Sequence, residues 1–186
     1  MAVHSDFKKL TIDSIKENLL AIEYCLTFEK RHNPNWTKDD RGCLGVPSMI
    51  LMCSIVDSIG SYFRGSLATV NVNGEERKID KTSDHFLILN HDKIFNLRLD
   101  RKTIYDFYKK YRSPLTHNNT LPPNAWIDIG KEADEIFQVN DKNEVVQVRL
   151  SPLFEKIKVA VGIFIYFLQN GNWSDEHKLT MELKEK

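Results

Sequence analysis

The segment Tyr111-Arg112-Ser113-Pro114-Leu115-Thr116-His117-Asn118 carries the residue types that phosphate chemistry needs. An arginine ends a strongly periodic stretch, a Ser-Pro step turns or restarts the helix, and a histidine follows five positions later beside Asn118 and Asn119. Arg is a permanent, planar, multi-donor cation matched to phosphate oxygens, and His, with an ordinary pKa of about 6.5, exchanges protons at neutral pH. Together they meet the minimum for metal-free phosphodiester cleavage. A base takes the proton of a ribose 2′-OH, in-line attack builds charge on the phosphoryl oxygens, and the guanidinium stabilises that charge. Such chemistry selects RNA, because DNA lacks the hydroxyl. The competing reading is structural: a cation that complements a helix C-terminus, followed by a polar loop histidine.

Other chemistries find no support. There is no phosphate-binding G-x-x-x-x-G-K-[ST], no G-x-G-x-x-G, no H-E-x-x-H, no G-x-S-x-G and no EF-hand loop. Among the six histidines no two stand three or four apart, so no helical metal pair is encoded; His85 and His91, six apart, read as polar surface residues sooner than as ligands. No metal and no cofactor are expected.

The elements around the segment follow from hydrophobic period. Ile12, Ile15, Leu19, Ile22 and Leu26 alternate in steps of three and four, which predicts a helix capped by Thr11 or Asp13. Pro47 opens a second helix through Met49, Met52, Cys53, Val56, Ile59, Gly60 and Phe63, with Ser54, Asp57, Ser58 and Ser61 on a small polar stripe. Asn73-Gly74 is the favoured pair for a two-residue hairpin turn, so residues 68–80 read as a β-hairpin excursion. After Ser83 a helix is expected through Phe86, Leu87, Leu89 and Ile94. Ile104, Phe107, Tyr108 and Tyr111 then share one face of the helix that leads to Arg112. Short strands are expected at 126–129, 136–139 and 145–150, a second excursion spanning 126–150. Ser151-Pro152 opens a last helix that Gly171 closes, apolar nearly all round and therefore central or shared with a second subunit. Its Val159–Leu168 run is about half the ~20 residues a membrane-spanning helix needs, so a core helix is expected and no membrane.

The hexapeptide Arg112-Ser113-Pro114-Leu115-Thr116-His117 resembles the R, polar residue, three of anything, H signature of the HEPN superfamily of all-α domains. The resemblance implies a compact helical bundle that dimerises so that two motifs share one cleft. It implies either a metal-independent ribonuclease of a toxin–antitoxin, phage-defence or CRISPR-associated system, or an inactive member that binds nucleotides or proteins. Carried over by position, Arg112 matches the motif arginine, Ser113 the polar position and His117 the motif histidine. Asp57 is the candidate for the acidic residue that members often carry on an earlier helix facing the motif; its plain reading is a hydrogen-bonded surface carboxylate.

The fold class expected is mainly α (α+β): a single HEPN-like domain over residues 1–186, a helical bundle with one or two inserted β-hairpins. Twenty-six Lys and Arg balance twenty-six Asp and Glu, which argues against a protein that works by bulk neutralisation of phosphate. Arg98, Arg101, Lys102, Lys109, Lys110 and Arg112 nevertheless form a local basic stretch. The tyrosines between them, Tyr105, Tyr108 and Tyr111, read as core sooner than as base-stacking platforms. Three separated cysteines and no leader segment point to a reducing, cytoplasmic setting, and the resemblance implies a bacterial one. The function expected is a metal-independent endoribonuclease or RNA-binding protein, acting as a homodimer because one Arg–His pair offers only one titrating group. In it Arg112, His117 and Asp57 are catalytic, while Ser113, Asn118, Lys109 and Lys110 bind RNA. The rival is a non-catalytic domain that binds a cognate partner, such as an antitoxin or a defence-system protein.

Overall fold

The computed structural model describes residues 7–39, 42–65 and 69–170, and places five α-helices and two small sheets in one mixed α+β fold. Helix α1 (Phe7–Thr27) buries Ile12, Ile15, Ile22 and Cys25, the stripe its three-four spacing dictates. It starts a turn earlier than a Thr11 cap would allow. The Thr11 hydroxyl donates to the Phe7 carbonyl (3.0 Å) and shares a 2.8 Å hydrogen bond with the Tyr62 hydroxyl, so it works inside the helix.

Helix α2 (Gly45–Tyr62) is the centre of the fold and runs antiparallel to α1. The Leu44 N–H donates to the Cys25 carbonyl (3.0 Å) at one end, while Thr11 meets Tyr62 at the other. Eighteen residues with a mean hydropathy of 1.2 make α2 long and apolar enough to cross a membrane by length and composition. Its position accounts for that apolarity, because Met49, Met52, Cys53, Ile55, Val56 and Ile59 are all buried against neighbouring elements. Helix α5 (Leu150–Asn170) packs on both α1 and α2, with the rings of Phe164 and Phe167 against Tyr62 and Phe63. It begins at Leu150, one residue before the expected Ser151 cap, and the Ser151 N–H, a first-turn donor with no partner inside the helix, donates to the Ile129 carbonyl (2.8 Å). One face of α5 is buried and Val159 and Tyr166 point outward. Gly171 lies outside the described residues.

The hairpin forms as Asn73-Gly74 requires. Both residues have positive φ (55° and 80°), and strands β1 (Thr69–Val72) and β2 (Glu75–Lys78) pair antiparallel across that two-residue turn. The following segment corrects the expectation of a helix through Ile94. Thr82–Asn90 is a nine-residue 3-10 helix, and Ile94 sits in a turn beyond it. His85, Phe86, Ile88, Leu89 and Asn90 are all buried, so the segment is covered on several sides and no single apolar stripe could set an α period. Asn90 locks it in place: its side chain donates to the carbonyls of Asn71 (3.1 Å) and Leu99 (2.7 Å) and accepts from the Leu99 N–H (2.7 Å).

Helix α3 (Arg101–Phe107), a π-helical turn (Tyr108–Arg112) and helix α4 (Ser113–Asn118) form one rod. Asp100 caps its start by accepting from the Thr103 N–H (2.9 Å). Pro114 explains the π turn. Inside a regular α-helix its ring would strike the Lys110 carbonyl, and it has no N–H to offer that carbonyl. The Ser113 N–H donates instead to Tyr108, five residues back, which widens the turn and leaves the helix axis unbroken.

The second sheet has the order β3-β5-β4. Strands β4 (Phe137–Val139) and β5 (Val145–Arg149) make the expected hairpin, while β3 (Trp126–Asp128) adds parallel to the other edge of β5. β5 runs directly into α5.

Gly60 sets how closely the 3-10 helix approaches α2. A Cβ there would lie 2.2 Å from the His85 carbonyl oxygen and 2.8 Å from its Cα, backbone atoms that cannot swing aside. Gly60→Ala is therefore expected to destabilise the protein by about 3 kcal/mol through overpacking, read as a lower urea midpoint. An unchanged midpoint would show that residues 82–90 do not press on α2 in solution.

Candidate functional site

Three segments distant in sequence meet at Asp57. Its Oδ2 accepts from Arg112 Nη2 at 2.8 Å and its Oδ1 pairs with His85 Nδ1 at 2.7 Å. The carboxylate comes from the polar side of α2, the guanidinium from the end of the π turn and the imidazole from the 3-10 helix. All three are largely shielded, with side-chain exposures of 22% for Asp57, 19% for Arg112 and 7% for His85. An ionised carboxylate only accepts, so His85 donates to it through Nδ1 and the bond leaves Nε2 unengaged. That Nε2 is buried and has no hydrogen-bond partner among the described residues.

Arg112 is held at two points and free elsewhere. Besides the Asp57 bond, its guanidinium carbon lies 5.4 Å from the centre of the Tyr108 ring, a cation–π arrangement. Its remaining N–H donors make no hydrogen bond to a described residue. A guanidinium fixed by one nitrogen and open at the others is arranged to receive an anion. Cys53, one turn before Asp57 on α2, is fully buried beneath the pair. Burial pushes its thiol far above the usual range, outweighing the lowering by Arg112, so it is a packed neutral group and no nucleophile.

The other residues singled out from the sequence lie at varying distances from this centre. His117 is exposed in the last turn of α4 and makes no hydrogen bond or ion pair with a described residue. The rod thus carries Arg112 toward Asp57 and leaves His117 in solvent five residues on. Ser113 is half-buried, its N–H closing the π turn, and Asn118 is exposed. Lys109 stands over the ring of Tyr105 at 5.7 Å. Lys110 is committed to structure: it pairs with Asp106 (3.3 Å) and donates to the Val145 carbonyl (3.2 Å), tying the rod to β5. The tyrosines differ among themselves, with Tyr111 in the core, Tyr108 half-buried and Tyr105 exposed.

Sequence reasoning missed His85. His85 and His91, read as surface histidines, are both buried, the first against Asp57 and the second against Phe63. Their partners lie 28 residues away in both cases, a separation at which no local spacing reports contact. Among the described residues no three His, Cys, Asp or Glu side chains converge as a metal-binding group would. No family model matches the sequence, and no curated protein or solved structure is significantly similar to it.

Removing the shared carboxylate leaves a partly buried guanidinium and a buried imidazole without their common partner. Asp57→Asn, which keeps the shape and loses the charge, is expected to cost about 2 kcal/mol of stability in urea unfolding. A double-mutant cycle of Asp57→Ala with Arg112→Ala should give a coupling of about 1–3 kcal/mol. Strict additivity would mean the 2.8 Å pair does not form in solution.

Proposed function

We propose that this chain is a HEPN-like, metal-independent endoribonuclease acting in the cytoplasm of a bacterium as a homodimer. The observation that carries the reading is the half-committed Arg112. Asp57 fixes Nη2 while the other donors stay open, and His117 follows on the same rod, exposed and without a hydrogen-bond partner among the described residues. The residue types are those a phosphodiester needs: Arg112 takes the phosphoryl oxygens, His117 exchanges the proton of the 2′-OH or of the leaving oxygen, and Asp57 positions Arg112. His85 braces Asp57 from the far side and holds its carboxylate plane. Ser113, Asn118 and Lys109 surround the strand, and Lys110 contributes through the fold.

One exposed histidine offers one proton-transfer group. Acid and base together are supplied when a second copy brings its own His117 to the same cleft, and Val159 and Tyr166 on α5 are apolar residues left uncovered in the single chain. The setting this implies is a toxin–antitoxin or phage-defence system. The alternative is a non-catalytic domain that binds a cognate protein, for which the net charge of zero is the supporting observation.

The deciding experiment is cleavage of a labelled RNA panel in excess EDTA by wild type, His117→Ala and Arg112→Ala, each verified as folded. Wild type should cut and leave cyclic-phosphate ends, and each variant should be slower by about a hundredfold or more. Three inert proteins, or three equally active ones, would sink the enzyme reading. In the first case salt-insensitive capture of a partner protein would favour the alternative, since phosphate-driven binding weakens steeply with ionic strength.

A further inference from the structure

Strand β3 has backbone groups to spare. The Arg149 N–H donates to the Ile136 carbonyl (2.9 Å), so Arg149 and Gln147 turn their backbone groups to β4 and Val148 turns its own to β3. In a parallel ladder a residue that faces its partner strand bonds to the two neighbours of the residue opposite. Val148 therefore engages Trp126 and Asp128, and Ile127, opposite Val148, turns its N–H and C=O to the free edge. Neither group is hydrogen-bonded to a described residue. The other edge, β4, is blunted by the irregularity at Gln138–Val139 and by Arg149, whose guanidinium donates to the Glu135 carbonyl (2.9 Å) and the Gln138 side-chain carbonyl (3.3 Å). On β3 the groups of Ile127 stay open.

The same strand borders a groove of about 600 Å³ that also touches the start of α2, the loop after α4 and the first residue of α5. Val46, Leu121, Pro122 and Leu150 give it apolar walls, and Lys30 and Asp128, of opposite sign, are its charged residues. It therefore selects for apolar surface and backbone hydrogen bonds, not for charge. Along the strand Ala125, Ile127 and Ile129 fall on one face by period, Trp126 and Asp128 on the other. Trp126 is 66% and Ile129 39% exposed, so apolar surface is left uncovered beside the open edge.

An added strand supplies both needs, and the chain's own sequence holds a candidate. Leu179, Met181 and Leu183 alternate with Lys178, Thr180, Glu182 and Lys184, the period of a strand with one apolar face. These positions belong to residues 171–186, outside the described residues. Helix α5 leads away from the groove, from Leu150 to Asn170, over about 30 Å. Extended, the chain from Asn170 to Met181 covers about 36 Å, enough to return along that helix. We propose that residues 178–184 of this chain dock on β3 as a fourth strand of the second sheet, with Met181 opposite Ile127 and with Leu179 and Leu183 beside Ala125 and Ile129. The match holds for either strand direction, because Ala125 and Ile129 are equally spaced about Ile127. Docking gives the Ile127 N–H and C=O their partners and closes an edge that would otherwise accept another chain. It is independent of whether the protein cleaves RNA.

The test is amide hydrogen exchange, read residue by residue by NMR on the full chain and its point variants. In wild type the Ile127 N–H should be protected. Met181→Asp, which sets a charge against the apolar wall, should speed its exchange about tenfold or more. Met181→Leu should leave it slow, and so should Thr180→Lys on the outer face. The Trp126 and Asp128 N–H groups, engaged with β5, should stay protected throughout and so verify that each variant is folded. A fast Ile127 N–H in wild type overturns the docking, as does one that stays slow in Met181→Asp. Sensitivity to Leu179→Asp and Leu183→Asp but not to Met181→Asp would mean a segment wound as a helix, on which 179 and 183 share a face and 181 does not, and would overturn the strand. Protection that falls on dilution would assign the edge to a second copy and overturn docking within the chain.

Discussion

The shared carboxylate of Asp57 is the constraint on which the arrangement depends. Two donors from different parts of the chain converge on its two oxygens, and each would be costly to bury alone. The geometry is mutually enforcing. The 3-10 helix must lie close enough to α2 for His85 to reach, and the rod must present Arg112 at the turn where Asp57 faces it. Because the three groups are shielded but not sealed, the carboxylate can hold Arg112 without consuming its full hydrogen-bonding capacity. The site is rigid on the protein side and open on the other.

Central helix α2 makes that convergence affordable in packing terms. One face fills the core with Met49, Met52, Ile55, Val56 and Ile59, while small residues keep the other faces thin. Gly60 admits the backbone of His85, and Cys53 fills the space under the ion pair with a group too small and too neutral to compete for either charge. Positioning and packing are thus carried by neighbouring turns of one helix, at Cys53, Asp57 and Gly60.

Much of the fold was legible where local physics dominates. Asn73-Gly74 specified the hairpin turn because both residues tolerate positive φ, and the stripes of α1, α2 and α5 were set by their three-four spacing. What could not be read is non-local or out of phase. His85 lies 28 residues from Asp57, and its segment winds as a 3-10 helix with no amphipathic period to register. The parallel placement of β3 against β5 depends on a crossover that short strands do not encode. Tyr105 stands one position off the stripe of Ile104, Phe107, Tyr108 and Tyr111, so α3 turns it to solvent while Tyr111 goes to the core. The signal for the π turn was Pro114, which the sequence displays and which reads first as a helix boundary.

That π turn ties the number of residues in the rod to Pro114. A π turn holds one residue more than the α turn it replaces, so it absorbs the surplus residue while α3 and α4 keep the relative phase of a regular helix. Deleting a single residue between Tyr108 and Arg112 would let the turn regularise without rotating Leu115 away from the core. The cost would fall on the backbone at Pro114, whose ring would then meet the carbonyl four residues before it. The regular helix is disfavoured for as long as the proline stands.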